Sequence, residues 1–526
     1  MGLEWILRKV HFEVFVIPFP IRDGARDAAM VKRAGGALLL AVKIDHEAKR
    51  PVSTQLYVAL RDLILSGGFS AGDRLPASRT LARDLALSRT TVIEAFDRLT
   101  AEGLIESRVG AGAYVSRALD ADRPRPPAVG VRAGGTRKPR IARAMAQSVG
   151  RFGERARLPS AARAFTTALP AFDAFPMAQW ARLFAKHWRS QRDAVMGYGD
   201  PFGHPQLRQA IAAHLRANRG IACDAGQVFI VGGAQQAFHL IGSILLNPGD
   251  RVWFENPGAI GARNSFIASG ADLIPVPVDR EGLRVAEGLK RAPNFRLAFV
   301  TPSHQQPLGM SMSLARRFAL LAAAERAGAW IVEDDYDGEF AFAGSPLPTL
   351  KSVDATGLVI YVGTFSKSLF PSLRLGFLLV PHALVDVLNT IMSKLLHGVP
   401  SCVQQVVAEF IDEGHFASHL RRMRKIYAER HDVLCAAARR RLGGLIDIVP
   451  SHSGLHTIGH LRTGLSELAV AKAAGERQIT VSPISRFCMS PVPMRGLVLG
   501  FGGICPAEIE AGVAVLGEVL EQQLRR

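Results

Sequence analysis

Residues 362–377 read VGTFSKSLFPSLRLGF, and the fold of the larger part of the chain turns on this stretch. It extends an apolar run of strand length, Leu358–Val362, and then passes through Gly363, Thr364, Phe365, Ser366 and Lys367. In extended chain Thr364 and Ser366 would turn their hydroxyls the same way, with the Lys367 amine beside them. Arg374 follows seven residues after Lys367. An amine, two hydroxyls and a guanidinium are what a phosphorylated aldehyde needs: a nucleophile of lowered pKa, and donors for the phosphate. Working outward, the run Trp330–Val332 is followed by Glu333, Asp334, Asp335, Tyr336 and Asp337. Asp334 and Tyr336 share a face at a strand's carboxyl end, where open α/β sheets bind ligands. Further upstream, Phe229–Val231 leads into Gly232, Gly233, Ala234 and Gln235, a helix start whose free amides suit an anion. With Leu297–Val300, these runs alternate with helical stretches, the pattern of an α/β domain with a mixed, mainly parallel sheet. A single lysine is more often a surface amine, and three carboxylates more often a solvated turn. The order of all these parts together carries the reading.

The chain has 526 residues, a net charge of +18, 48% hydrophobic residues and 21% charged ones. That length implies at least two domains, and the composition supports a large core. The basic excess favours a polyanionic partner such as DNA. Five scattered cysteines, none in a CxxC pair, exclude a disulfide framework and a cysteine zinc site, and suit a reducing cytoplasm. No metal site is expected. No apolar stretch reaches the roughly 18 residues that would span a bilayer. Charge concentrates between Arg117 and Arg163, where twelve Arg or Lys face only Asp120, Asp122 and Glu154. With Pro124, Pro126, Pro127, Pro139 and the Gly134–Gly135 pair, residues 117–163 read as a solvated basic linker. Residues 164–526 form the large domain and residues 47–116 a small one. Residues 1–46 are an extension, of which 1–35 fit no pattern; a start at Met30 would remove most of it.

In the small unit Leu56, Leu60, Leu63 and Ile64 mark one face of a helix that Gly67–Gly68 ends. Ser78 is expected to cap a short second helix, with Leu81 and Leu85 inward. Ser88 is expected to cap a third that buries Val92, Ala95, Phe96 and Leu99. Two short strands then flank the tip Val109–Gly110–Ala111–Gly112. Helix, helix–turn–helix and hairpin make a winged helix, and Arg89, Thr90 and Thr91 open the helix that enters a major groove.

Two resemblances follow from these residues. The string from Gln55 through SGGFSAGDRLPASRTLARDLALSRTTVIEAFDRLTAEGLIESRVGAGAYV resembles the GntR-type winged helix. That resemblance implies base or phosphate contacts from Arg79, Ser88, Arg89, Thr90 and Thr91, and a wing brought close to the minor groove at Gly110. Downstream, YGDPFGHPQLRQAIAAHLRANRGI, ENPGA, TPSHQQPLGMSMS, EDDYDGEF, VGTFSKSLFPSLRLGF and GHFASHLRRMRKIY are similar to the aminotransferase-like part of MocR (GabR-like) regulators. That family joins a GntR-type winged helix to a fold-type-I aminotransferase domain that binds pyridoxal 5'-phosphate. The resemblance implies that Lys367 forms the Schiff base, Asp334 pairs the ring nitrogen and Tyr336 donates to the phenolate oxygen. Thr364, Ser366 and Arg374 would hold the phosphate with amides at Gly233, Ala234 and Gln235. Tyr198 would reach a phosphate across a head-to-tail homodimer. Ser303, His304 and Gln305 would lie near the cofactor.

Two positions depart from the family pattern. Ala259 stands where an aromatic commonly stacks on the ring, and Val498 stands about where aminotransferases place a carboxylate-clamping Arg, a role Arg495 could take. The expected function is a DNA-binding transcription regulator whose large domain binds pyridoxal phosphate and a small amine or amino-acid effector, with no catalytic residues assigned. The alternatives are a working aminotransferase with an accessory DNA-binding head, and a repressor whose large domain is only a scaffold.

Overall fold

The computed structural model describes residues 42, 44–45, 48, 50–108, 112–121, 141–155, 162–190, 192–342 and 347–525. The chain divides into two units, residues 1–139 and 140–526.

In the first unit helix α1 (Val52–Leu65) buries Leu56, Leu60 and Ile64, a stripe spaced by one helical turn. Helix α2 (Ser78–Asp84) buries Leu81, and helix α3 (Arg89–Ala101) buries Val92, Ala95 and Leu99. These side chains meet Leu75, Ile105 and Val115 in one apolar core. Ser88 caps α3 as expected, its Oγ accepting from the Thr91 amide at 3.0 Å. Ser78 does not cap α2. Ala77 holds the extended N-cap conformation, so Ser78 is already the first helical residue and makes no cap bond. Gly103, at φ +70°, ends α3 in the left-handed region. Strands β1 (Ile105–Arg108) and β2 (Gly112–Val115) then pair antiparallel, Ile105 opposite Val115. The wing tip with Gly110 lies outside the described residues, as does most of the extension 1–46.

The second unit is built on an eight-stranded sheet: β3 (Val228–Val231), β4 (Arg251–Asn256), β5 (Asp272–Asp279), β6 (Gly282–Leu283), β7 (Leu297–Val300), β8 (Trp330–Asp334), β9 (Val359–Thr364) and β10 (Gly376–Leu379). Its order is β3-β10-β9-β8-β7-β4-β5-β6. From β9 through β8, β7 and β4 to β5 every pairing is parallel, whereas β10 runs antiparallel to β3 and β9. Helices cover both faces, which is why β3, β7 and β10 are apolar at every position rather than alternating. A second, antiparallel sheet of β11 (Ile446–Ile448), β12 (His456–Leu461), β13 (Ser482–Pro483) and β14 (Gly496–Gly500) has the order β11-β12-β14-β13. The winged helix and the mixed, mainly parallel sheet agree with the architecture read from the sequence. Among the described residues no helix is long and apolar enough to cross a membrane.

One expectation changes. Residues 141–155, read as part of a solvated linker, are docked on the second unit. In helix α4 (Arg143–Val149) Ser148 Oγ donates to the Ile267 carbonyl at 2.9 Å, and beyond the helix Gly153 exchanges two hydrogen bonds with the Asn264 side chain, 2.8 and 2.9 Å. Charge and proline content marked this stretch as solvated. The small residues Ser148 and Gly153, which permit close docking, leave no apolar periodicity to read.

Candidate functional site

Strand register makes the first assembly. Gly376 of β10 lies opposite both Val231 of β3 and Thr364 of β9, and Asp334 of β8 lies opposite Val362 of β9. The carboxyl ends of β3, β8 and β9 therefore open at one edge of the sheet, the place where parallel sheets bind ligands. The loop before β10 delivers Arg374 into the same row.

At this edge helix α5 (Ala234–Leu245) starts from Gly233, whose φ of +96° suits only glycine. A Cβ on Gly233 would meet Arg374 Nη2 at 3.8 Å, and one on Gly376 would come within 3.0 Å of Gly233 Cα, so backbone and guanidinium share one small cradle. Arg374 is itself left-handed at φ +50°, rare for a non-glycine, and that conformation sets its direction. The first amides of α5 have no acceptor within the helix and sit at its positive end. The Gln235 side chain is engaged elsewhere: its Nε2 donates to the Gly261 carbonyl at 2.9 Å and to Ser265 Oγ in helix α6 (Ile260–Ala268), which leaves its backbone amide for an anion. Thr364 and Ser366 do not project from an extended segment. The chain turns helical at Phe365, and Thr364 Oγ1 caps that turn by accepting from the Ser366 amide at 3.2 Å.

Glu333, Asp334 and Asp335 are all buried and part company at once. Glu333 accepts from the Leu350 and Lys351 amides at 2.8 and 2.7 Å and faces Arg317 at 3.9 Å. Asp335 pairs with Arg219 and accepts from the Tyr361 hydroxyl at 2.6 Å. Asp334 has no such partner: its Oδ1 is buried without a hydrogen bond. Burial pushes its carboxyl well above the usual range, Asp335 and Asp337 push the same way, and Lys367 opposes them.

Lys367 is half-buried, and its Nζ donates to the Ala168 carbonyl at 2.9 Å. Ala168 is left-handed at φ +69°, a conformation the sequence does not announce. Burial lowers the Lys367 pKa to about 8; Asp337 opposes that, the Arg155 cation adds to it, and Asp334 opposes it too. Tyr336 is pushed well up by burial and by Asp337 and Asp334, so its phenol keeps its proton. His304 Nδ1 lies 2.9 Å from Asp337 Oδ2 and 3.1 Å from the Tyr336 hydroxyl. A proton on that nitrogen, held by Asp337, makes the Tyr336 oxygen an acceptor there and frees its own hydrogen to donate elsewhere.

The three residues 303–305 have separate parts. His304 touches Tyr336. Ser303 Oγ accepts from the buried Arg219 at 3.3 Å, and Gln305 Nε2 binds Glu255 Oε2 at 3.2 Å and the Pro257 carbonyl at 2.9 Å. Ala259 is the buried N-cap of α6. Val498, 1% exposed, fills an apolar cluster with Ile260, Leu308 and Ile484, and Arg495 is exposed. Tyr198 is 90% exposed, with its ring against His397, and is not brought to Lys367 within the chain.

These residues fit pyridoxal phosphate. A buried carboxylate oxygen lacks the donor that a protonated ring nitrogen would be, the amine is depressed toward neutrality, and a glycine-lined cradle with an arginine stands at a helix start. Sequence reasoning missed Ala168, Asp337 and Arg155. Of these only Asp337, next to Tyr336 and three residues from Asp334, had a readable signal.

In the first unit Arg79, Ser88, Arg89 and Thr90 are exposed and Thr91 is half-buried. The Ser88 and Thr91 hydroxyls lie 2.7 Å apart at the start of α3, so the cap bond belongs to the same residues that the sequence offers for DNA contact.

Residues 52–115 match the family described as bacterial regulatory proteins, gntR family, and residues 169–502 match aminotransferase class I and II. The chain is 41% identical over 476 residues, 89% of it and 94% of the relative, to the probable rhizopine catabolism regulatory protein MocR of Rhizobium meliloti. It is 37% identical over 378 residues, 71% of it and 77% of the relative, to the HTH-type transcriptional regulator TauR of Rhodobacter capsulatus. Among solved structures, LysN, an α-aminoadipate aminotransferase of Thermus thermophilus complexed with N-(5'-phosphopyridoxyl)-L-leucine, superposes with a TM-score of 0.66 at 26% identity, over 73% of this chain and 100% of that one.

Proposed function

Because the chain belongs to the MocR-type regulators, in which a gntR-family head precedes an aminotransferase class I and II body, we propose that it is a transcription regulator whose DNA affinity responds to pyridoxal phosphate and to an amine captured at Lys367. The observation that carries this reading is the pairing of Lys367, lowered to about 8, with the unpartnered buried carboxylate of Asp334. Bound pyridoxal phosphate supplies an aldehyde that primary amines capture and a ring that withdraws electrons. The chain's own residues do the rest. Lys367 provides the amine, Asp334 accepts from the ring nitrogen, Tyr336 donates to the phenolate oxygen while His304 and Asp337 orient it, and Arg374, Ser366, Thr364 and the amides of Gly233, Ala234 and Gln235 hold the phosphate.

With the cofactor held, an effector amine would compete with the Lys367 amine for the same aldehyde. If two arrangements of the chain bind that amine unequally, the effector shifts their populations and with them DNA affinity. In the first unit Arg89, Thr90 and Thr91 would read base edges, with Arg79 and Ser88 on phosphates; Gly110 would serve the wing. A homodimer with two heads would favour paired half-sites, and Tyr198, exposed in one chain, would reach a partner's site.

Regulation is favoured over turnover by the apolar surroundings of Val498 and by Ala259, since neither offers a substrate-clamping cation or a stacking ring. Borohydride reduction of the full chain mixed with pyridoxal phosphate, followed by peptide mapping, tests the reading. The label is expected on Lys367 alone and absent from Lys367→Ala; equal labelling of that variant would refute the assignment. Sustained amino transfer over a panel of amines would favour an enzyme instead.

A further inference from the structure

Residues 148–155 run along helix α6 towards its N-terminus. Ser148 holds the Ile267 carbonyl, Arg151 Nη2 donates to the Ala271 carbonyl at 3.2 Å, and Gly153 is clamped by Asn264. Gly153 lies so close to Arg263 that a Cβ on it would sit 1.4 Å from Nη2. Phe152 packs against the core, and Glu154 faces Arg486 at 3.5 Å. This strap ends at Arg155, whose Nη1 donates to Gln235 Oε1 at 3.3 Å, and Gln235 is the third residue of the Gly233 cradle.

The strap therefore delivers a cation to the Lys367 site and leaves it without a counter-ion. Among the described residues Arg155 forms no ion pair, and its one hydrogen bond goes to a neutral amide. Its guanidinium is exposed, yet its charge is felt at Lys367, alongside the opposing carboxylates of Asp337 and Asp334 and the neutral His456. Val498, which by resemblance stands about where aminotransferases place a carboxylate-clamping Arg, is buried among Ile260, Leu308 and Ile484. A guanidinium with free donors, tethered beside a pocket that already carries Arg374 at its glycine cradle but is apolar at Val498, can serve as an oxyanion ligand.

We propose that Arg155 is an oxyanion-binding residue of the Lys367 site, taking either the phosphate of the cofactor or the carboxylate of an amine captured there. The inference rests on the reading of that site given above. Full-length protein, Arg155→Gln and Arg155→Lys would be compared in three titrations: apo-protein with inorganic phosphate followed by thermal shift, apo-protein with pyridoxal phosphate followed by absorption, and cofactor-loaded protein with β-alanine against propylamine, which differ by a carboxylate. If the phosphate is the ligand, Arg155→Gln weakens pyridoxal phosphate and inorganic phosphate by about tenfold, and Arg155→Lys recovers part of it. If the carboxylate is the ligand, phosphate binding stays and the preference for β-alanine falls by about tenfold. Unchanged values in every titration overturn the inference. A wild-type chain that takes no pyridoxal phosphate refutes the reading of the site; Arg155 is then decided by inorganic phosphate alone, and an equal response of wild type and Arg155→Gln overturns it.

Discussion

Three consecutive carboxylates meet three different fates, and Asp334 is the informative one. Glu333 and Asp335 are balanced by amides, Arg317 and Arg219, although one oxygen of Asp335 also lacks a donor; among the described residues Asp334 has neither a paired cation nor a donor at its buried Oδ1. A group left in that condition costs stability, on the order of 1–3 kcal/mol, which the rest of the fold supports. Asp334→Asn should therefore melt no lower than wild type as apo-protein, and should bind pyridoxal phosphate at least about tenfold more weakly, since the acceptor for a charged nitrogen is gone. Calorimetry and absorption titration check the two halves, and a large loss of apo stability would show that Asp334 serves the fold instead. Lys367 gives a second expectation at this scale. Capture of an aldehyde needs the unprotonated amine. With a pKa of about 8, the capture rate should climb with pH and level off above it. An ordinary lysine would keep climbing towards about 10.4. Stopped-flow absorption against pH separates the two curves.

At the scale of elements, helix α3 joins stability to recognition. Ser88 caps it through the Thr91 amide, so Ser88→Ala should cost about 1 kcal/mol of stability as well as affinity. Arg89→Ala removes no hydrogen bond or ion pair found among the described residues. It should leave melting unchanged and weaken specific DNA by about 1–3 kcal/mol, measured by footprinting against a scrambled duplex. Much at this level was legible. The apolar stripe of α1, the Ser88 cap and the strand end at Val231 follow from period and punctuation, whereas β8 and β9 run two residues past the expected Val332 and Val362, to Asp334 and Thr364. Asp334, Tyr336 and Lys367 follow from their place after those strands. What was not legible depends on contacts between distant segments. Ala168 reaches Lys367 only through a left-handed turn 199 residues away in sequence, and Arg155 reaches Gln235 only because Gly153 docks on α6. The cap that Thr364 makes on the Ser366 amide was not legible either, because a hydroxyl at a strand end can cap the next turn as well as face a ligand.

Taken whole, the chain pairs a unit whose exposed α3 start suits a DNA groove with a unit whose sheet edge suits an aldehyde cofactor, and the basic stretch Arg117–Arg163 connects them. Part of that stretch is the strap carrying Arg155, so chain continuity links the connector to the site. The central claim is that capture at Lys367 is felt at the DNA. The most direct measurement is the operator affinity of full-length protein with and without saturating pyridoxal phosphate, for wild type and Lys367→Ala at one fixed salt concentration. A shift of about 5–150-fold is expected for wild type and none for Lys367→Ala. Equal shifts in both proteins, or a wild type that binds the cofactor at Lys367 with DNA affinity unmoved, would contradict it.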